Sequence, residues 1–222
     1  MLITPDNNYT LLQKCHYNGG TSDHVEHNDN ADYWYILLGP ITDTDNKGKK
    51  ALDFGCGKGR NVQNLKQFGF ERIDGVDISA ANINYCKTRF SDYTFYENNG
   101  VDLKDIQDSE YDFVMSTIVF QHIPVFDVRH QLLRELYRVM KEDGIFSFQM
   151  GFGDNIEPGH TKYHDNFWTA GATNGGADVQ ITDKKDIIED LINIGFKNIT
   201  TRISNSFLDN SHKQWIYIKC EK

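Results

Sequence analysis

From residue 49 onward the chain alternates between short apolar runs and longer stretches in which apolar positions return every three or four residues. Ala51, Leu52 and Phe54, with Asp53 near the end of the run, read as a strand. Beyond a glycine loop, Val62, Leu65 and Phe68 recur at three-residue spacing, as the buried face of a helix does. Arg72–Asp77 is a second strand, ending in another acid. Ser79 is placed to cap a helix whose Ile83, Cys86 and Phe90 share a face. Ser91–Glu97 reads as a short aromatic strand, Asn98–Gly100 as a turn, and Tyr111–Val119 as a strand buried on both faces. Val128, Leu132, Leu133, Leu136 and Val139 place a helix over Phe126–Lys141, and Gly144–Met150 alternates as a strand would. Thr182–Ile194 is a capped amphipathic helix. Lys197–Ser204 and Gln214–Cys220 are two strands joined by the turn-rich residues 206–213. Strands alternating with helices imply a parallel sheet, and the closing pair implies an antiparallel hairpin at its edge.

Two stretches fall outside this rhythm. Residues 1–48 are polar except for Tyr9–Tyr17 and Ala31–Leu38, which read as short helices packed over the ligand end of a sheet; 41–48 is a turn-rich connection. Gly151–Ile181 is the least regular part, with six glycines, and a structureless stretch of that length inside a domain reads as a functional lid. Glycines near both of its ends, Gly151, Gly153, Gly175 and Gly176, would permit hinge motion.

Composition narrows the class. The 222 residues, 39% of them hydrophobic, suffice for one α/β domain with its own core. A net charge of −9 disfavours a broad phosphate-binding surface, so nucleic acid is disfavoured as substrate. No apolar run approaches membrane-spanning length, and the N-terminus has no signal character. Cys15, Cys56, Cys86 and Cys220 are scattered without a CxxC pair and read as free thiols in a reducing cytoplasm.

The glycine loop carries the chemistry. Gly55-Cys56-Gly57-Lys58-Gly59-Arg60 brings its third glycine one place too early for a dinucleotide fingerprint. Asp53, just before the first glycine, would repel a pyrophosphate and suits a cationic ligand better. Asp77, ending the neighbouring strand, can accept two hydrogen bonds from a ribose diol. This acid-x-G-x-G-x-G pattern with Asp77 resembles motif I and the second-strand acid of the class I S-adenosylmethionine-dependent methyltransferases. Asn99–Leu103 is similar to that family's segment after the third strand, although the family most often has Asp where Asn99 stands. Ser116–Ile123 is similar to its motif after the fourth strand, and Val139–Gly144 to its turn before the fifth.

The resemblance covers roughly residues 49–222. It implies a three-layer α/β sandwich around a seven-stranded, mostly parallel sheet with an antiparallel last strand, and residues 1–48 as a helical cap. It implies S-adenosylmethionine as cofactor, with S-adenosylhomocysteine as product. Asp53 and the loop of Gly55, Cys56, Gly57 and Gly59 would hold the methionine part and Asp77 the ribose. Ile78 would lie beside adenine, Asn99, Gly100 and Val101 on its other side, and Ser116 and Thr117 near the sulfonium.

His122 follows a strand carboxyl end, where open sheets bind ligands, and is the candidate base, with a scaffolding role as the alternative. In the lid His160, Tyr163, His164 and Trp168, with Asp165 and Phe167, are expected to wall the acceptor. Tyr33 and Trp34 are expected to reach the site from the cap, together with Tyr35. His24 and His27 in a polar loop lack the partners of a metal site. The family's metal-dependent branch has acids where Ser116 and Thr117 stand, so no metal is expected. The reading is methyl transfer to O or N of a small molecule by a monomer or homodimer without membrane association. A protein or tRNA methyltransferase is the alternative enzyme, but the motif that presents planar nitrogens is absent after Val114. A non-catalytic S-adenosylmethionine-binding module is the third reading, because such motifs report binding rather than turnover.

Overall fold

Alternation along each strand decides which face a residue serves. In β1 (Lys50–Phe54) Leu52 and Phe54 enter one apolar cluster and Ala51 another. In β4 (Tyr111–Ser116) Val114 joins the first cluster and Phe113 and Met115 the second. Helices close both faces. α4 (Phe126–Val139) and α5 (Lys184–Ile194) bring Val128, Leu132, Leu136, Ile187 and Leu191 to the first. α2 (Arg60–Gln67) and α3 (Ala80–Arg89) bring Val62, Leu65, Ile83 and Cys86 to the second. The expected caps are in place: the Ser79 hydroxyl accepts from the Asn82 N–H at the start of α3, and Asp183 accepts from the Lys185 N–H at the start of α5.

The computed structural model describes residues 8–19, 37, 45–156, 159–166, 178–206 and 212–222. Its sheet also includes β2 (Arg72–Asp77), β3 (Thr94–Glu97), β5 (Met140–Phe152), β8 (Lys197–Asn205) and β9 (Gln214–Glu221). The strands run β3-β2-β1-β4-β5 in parallel. β9 lies antiparallel beside β5, and β8 pairs antiparallel with β9 at the edge. This is the seven-stranded arrangement expected, with the antiparallel strand inserted between its neighbours.

Two further strands come from the stretch read as irregular. β6 (His160–Lys162) pairs with β7 (Asp178–Ile181), and β7 pairs with Gly151 and Phe152 at the end of β5. β5 pairs with β4 over Ile145–Phe148, so β7 takes up the same edge further along, past the carboxyl end of β4. The strands are too short to show a period of two, and the surrounding glycines hid them. Gly151 is therefore not a hinge. It lies inside β5, where an added Cβ would fall 2.0 Å from a ring carbon of His212, so its role is close packing. Gly175 and Gly176, at the other end, lie outside the described residues.

The turn expected before the fifth strand falls inside it, as an irregularity: the helix expected to reach Lys141 ends at Val139, and β5 begins at Met140 rather than Gly144. Met140 bridges Tyr111, the register then shifts, Asp143 takes a positive φ of 61°, and the ladder resumes at Ile145. In the N-terminal region α1 (Asn8–Asn18) lies over the carboxyl end of the sheet. Lys14 pairs with Glu97 at 3.0 Å, and Asn18 accepts from the Ser79 hydroxyl. Of the second apolar piece, Leu37 is described: it is fully buried, and its carbonyl accepts from the Ser147 hydroxyl. Among the described residues no helix is long and apolar enough to cross a membrane.

Candidate active site

The carboxyl ends of β1, β2 and β4 open into a cavity of about 280 Å³ roofed by α1. Sheet, glycine loop and the turn after β4 form its floor, and Tyr9, Thr10, Gln13, His16 and Tyr17 of α1 face it from above. The three loop glycines serve two purposes. Gly55 has φ 78°, and a Cβ there would lie 2.1 Å from Val119. Gly59 caps α2 at φ 83°, and a Cβ there would lie 2.4 Å from Phe90. Gly57 borders the cavity, and a Cβ on it would meet nothing within 4 Å. Gly55 and Gly59 thus let the loop pack; Gly57 leaves space over the backbone for a ligand.

Asp53 is fully buried beneath this floor. One of its oxygens, Oδ1, accepts from the Asn61 amide at 2.9 Å; among the described residues Oδ2 has no hydrogen-bond partner. Burial pushes the Asp53 pKa up to about 7, opposed by the Asn61 hydrogen bond and the Arg60 charge. The same Asn61 amide reaches Thr117 Oγ1 at 3.0 Å, so Asn61 forms the part of the floor that links β1 to β4. Asp77 does face the cavity. It accepts from the N–H groups of Gly57 and Ser79 at 2.9 and 2.8 Å, one on each carboxylate oxygen. The Asn82 amide also donates to Oδ1, at 3.5 Å, so Oδ2 is the oxygen that keeps a lone pair for a further donor. Burial raises its pKa, and the two backbone bonds oppose that shift.

At the other end of the cavity stands the 3-10 turn Phe120–His122, anchored by the fully buried Phe120 against Phe54 and Phe148. It presents His122 to the cavity, and His122 Nδ1–H donates to Asp178 Oδ1 at 2.6 Å. The Asp178 side chain is 4% exposed, and its second oxygen lies 3.4 Å from His212 Nε2 and 4.0 Å from His160 Nε2. Burial lowers the His212 pKa to about 4, against the pull of Asp178 and with the support of His160 and His122, so its ring is neutral at neutral pH. Ligand atoms of His160, Asp178 and His212 all lie within 4.8 Å of one another. The expectation of no metal rested on Ser116 and Thr117, a different place, and did not foresee this group.

The polar floor, the acid ending β2 and the strand order can be set beside proteins of known kind. A methyltransferase-domain family matches residues 52–148, which span β1 to the middle of β5. Over that stretch the chain carries a methyltransferase domain, and its strand order is that of the class I S-adenosylmethionine-dependent methyltransferase fold. The chain is 29% identical over 143 residues to an arsenite methyltransferase of Mus musculus; that match takes in 58% of this chain and 37% of the relative's length. The fold is similar to that of a 1,6-didemethyltoxoflavin-N1-methyltransferase of Burkholderia thailandensis, with a TM-score of 0.70 and 14% identity. That likeness covers 100% of this chain and 92% of that one. A methyltransferase of Methanosarcina mazei gives 0.63 at 16% identity, covering 83% of this chain and 96% of that one.

Of the residues expected at the site, Gly55, Cys56, Gly57, Asp77, Ile78, Gly100, Thr117 and His122 line the cavity. Five expected cofactor residues do not. Asp53 lies under the floor and Gly59 shapes the entry to α2. The Ser116 hydroxyl is turned to the Phe54 carbonyl at 3.0 Å, tying β4 to β1. Val101 is fully buried in the core. Asn99 folds its side-chain carbonyl back onto the N–H groups of Val101 and Asp102, at 3.0 and 2.9 Å, in an Asx turn. Its neighbour Asn98 lines the cavity instead, with a buried Oδ1 that has no hydrogen-bond partner among the described residues.

The lid residues that are described do not wall the cavity either. Tyr163 is buried in the core, its carbonyl accepting from Arg129 and its ring 4.8 Å from that guanidinium. His164 is half-exposed, beside Phe126 and 3.5 Å from Asp190. His160 belongs to the Asp178 group. Tyr33, Trp34, Tyr35, Phe167, Trp168, His24 and His27 lie outside the described residues. Asn61, Asn98 and the α1 side chains were missed. The signals were present but generic: a polar residue on the first turn of α2, and a short helix of weak amphipathicity.

Proposed function

We propose that this chain transfers the methyl group of S-adenosylmethionine to an oxygen or nitrogen of a small-molecule acceptor. The observation that carries the reading is the division of one cavity into two unlike ends. The end at β1–β3 is polar and built for the cofactor. Asp77 offers its carboxylate, with Oδ2 open to a further donor, to the ribose hydroxyls. Asn98 offers a buried carbonyl oxygen to the adenine amino group, next to Ile78. The buried Asp53–Asn61 pair places negative charge under the position of the cationic methionine end, and Gly57 leaves that position open. When bound, the cofactor supplies a sulfonium-activated methyl group.

The other end supports an acceptor of modest size. Phe54, Ile118, Val119, Ile123 and Leu132 make it apolar, and His122 supplies a polar group within it. Because Nδ1–H is held by Asp178, Nε2 remains to accept a hydrogen bond from an acceptor O–H or N–H and to aim its lone pair at the methyl group. Burial keeps the Tyr9 and Tyr17 phenols protonated, so α1 adds neutral donors to the roof. α1 acts as the cap, and β6 and β7 buttress His122 through Asp178. The net charge of −9 favours an acceptor other than nucleic acid. Arsenite and a toxoflavin precursor, named for two of the similar proteins, are both small molecules.

The test is incubation with labelled S-adenosylmethionine and a panel of small phenols, heterocycles and amines. Formation of S-adenosylhomocysteine with label on a panel member supports the reading. Label found on tRNA or polypeptide, with the panel untouched, overturns it. Replacing His122 by Ala is expected to lower kcat several-fold or more while S-adenosylhomocysteine affinity stays within about twofold.

A further inference from the structure

We propose that His160, Asp178 and His212 bind a divalent transition-metal ion of the zinc class, behind the catalytic cavity and apart from the reacting atoms. The inference goes beyond the methyl-transfer reading and does not depend on it.

Three separate pieces of chain bring the ligands together. His160 and Asp178 face each other as directly paired residues of β6 and β7. β7 lies beside Gly151 of β5, and β9 runs along the other side of Gly151, with His212 just ahead of it. The missing Cβ of Gly151 leaves the space in which the His212 ring sits. The three side chains are 6%, 4% and 0% exposed, so the chain commits a carboxylate and two imidazoles to its interior at one point.

The distances within the group suit ligands of one ion. Asp178 Oδ2 is 3.4 Å from His212 Nε2 and 4.0 Å from His160 Nε2. A charge-assisted hydrogen bond is shorter, about 2.7–2.9 Å. Two ligands on a tetrahedral zinc with bonds of about 2.0–2.2 Å lie about 3.3–3.5 Å apart. The His212 pair already meets that spacing, the His160 pair is about half an ångström wide of it, and the two imidazoles lie within 4.8 Å of each other. Two imidazoles and one carboxylate suit zinc, cobalt or iron rather than calcium or magnesium. The outer shell is also present: His122 Nδ1–H holds Asp178 Oδ1 at 2.6 Å, which fixes the carboxylate with Oδ2 turned to the two imidazoles. An ion here would fasten the 151–181 insertion to the C-terminal hairpin.

Cobalt titration of the chelator-stripped, untagged full chain tests the assignment. One equivalent of Co²⁺ is expected to give a saturable visible band. His160→Gln and His212→Gln are each expected to weaken its binding at least tenfold, while His164→Gln leaves it unchanged. X-ray absorption of the zinc-loaded wild-type protein keeps the test valid if a variant fails to fold. A shell of two imidazoles and one carboxylate supports the proposal. Absence of a saturable band, a band that survives in the His160→Gln/His212→Gln double variant, or a zinc shell lacking the imidazole pair overturns it.

Discussion

Asp53 is the residue on which stability and function pull in opposite directions. Its pKa is pushed from the usual carboxylate range to about 7 by burial. A carboxylate whose folded pKa exceeds its unfolded one contributes stability that is full below about pH 3.8 and is lost as pH rises through about 7. Asparagine mimics the protonated acid and still accepts from Asn61. Asp53→Asn is therefore expected to be more stable than wild type at pH 8, by about 2–4 kcal/mol, read as a higher denaturation midpoint. A cationic ligand above the floor favours the ionised form. Wild-type affinity for S-adenosylhomocysteine should accordingly strengthen as pH rises from 5.5 to 8, and in Asp53→Asn it should be weaker and flat with pH. Calorimetry across that range checks this, and a flat wild-type profile would contradict it. Asp77→Ala removes a charged acceptor facing the cavity, worth ~1.5–3 kcal/mol, and should weaken binding at least tenfold. The two loop glycines separate by mechanism. Gly55→Ala forces a Cβ into Val119 and should lower the melting temperature. Gly57→Ala, open above, should cost less stability and mainly cofactor affinity.

At the scale of elements the short turn after β4 is the joint between core and chemistry. Phe120 packs on Phe54, Phe146 and Phe148 with ring centroids 5.3, 6.3 and 5.5 Å away, and two residues on stands His122. Phe120→Ala should cost about 3–5 kcal/mol of stability, measured as a shift in urea midpoint at constant m-value. The reach of sequence reasoning divides along the same line. Glycines before a helix and acids at strand ends are local signals, so Gly57 and Asp77 were legible. Asn98 and Asn99 differ by one position, and an Asx turn decides which faces the cavity; no pattern of apolar residues carries that choice. Tyr163 was placed in a lid because a loop rich in aromatics resembles one. Its burial depends on Arg129, a cation inside the core that binds the carbonyls of Ile123 and Tyr163. The His160–Asp178 pairing depends on the register of two very short strands, which only tertiary packing fixes.

At the scale of the molecule, the parallel sheet gives one rim where strand ends, loop amides and α1 converge, and Gly57, Asp77 and Asn98 face the cavity there. α1 is held over that rim by the Lys14–Glu97 pair and by Asn18 against Ser79. The insertion adds two strands beyond β4 and brings Asp178 behind His122. The central claim is that one cavity holds S-adenosylmethionine at the glycine loop and an acceptor at His122. A crystal structure with S-adenosylhomocysteine tests it most directly. The ribose hydroxyls are expected on Asp77, adenine between Ile78 and Asn98, and the amino acid end over Gly57 and Asn61 with the sulfur toward His122. A ligand lying elsewhere, or reversed so that adenine meets His122, would contradict it.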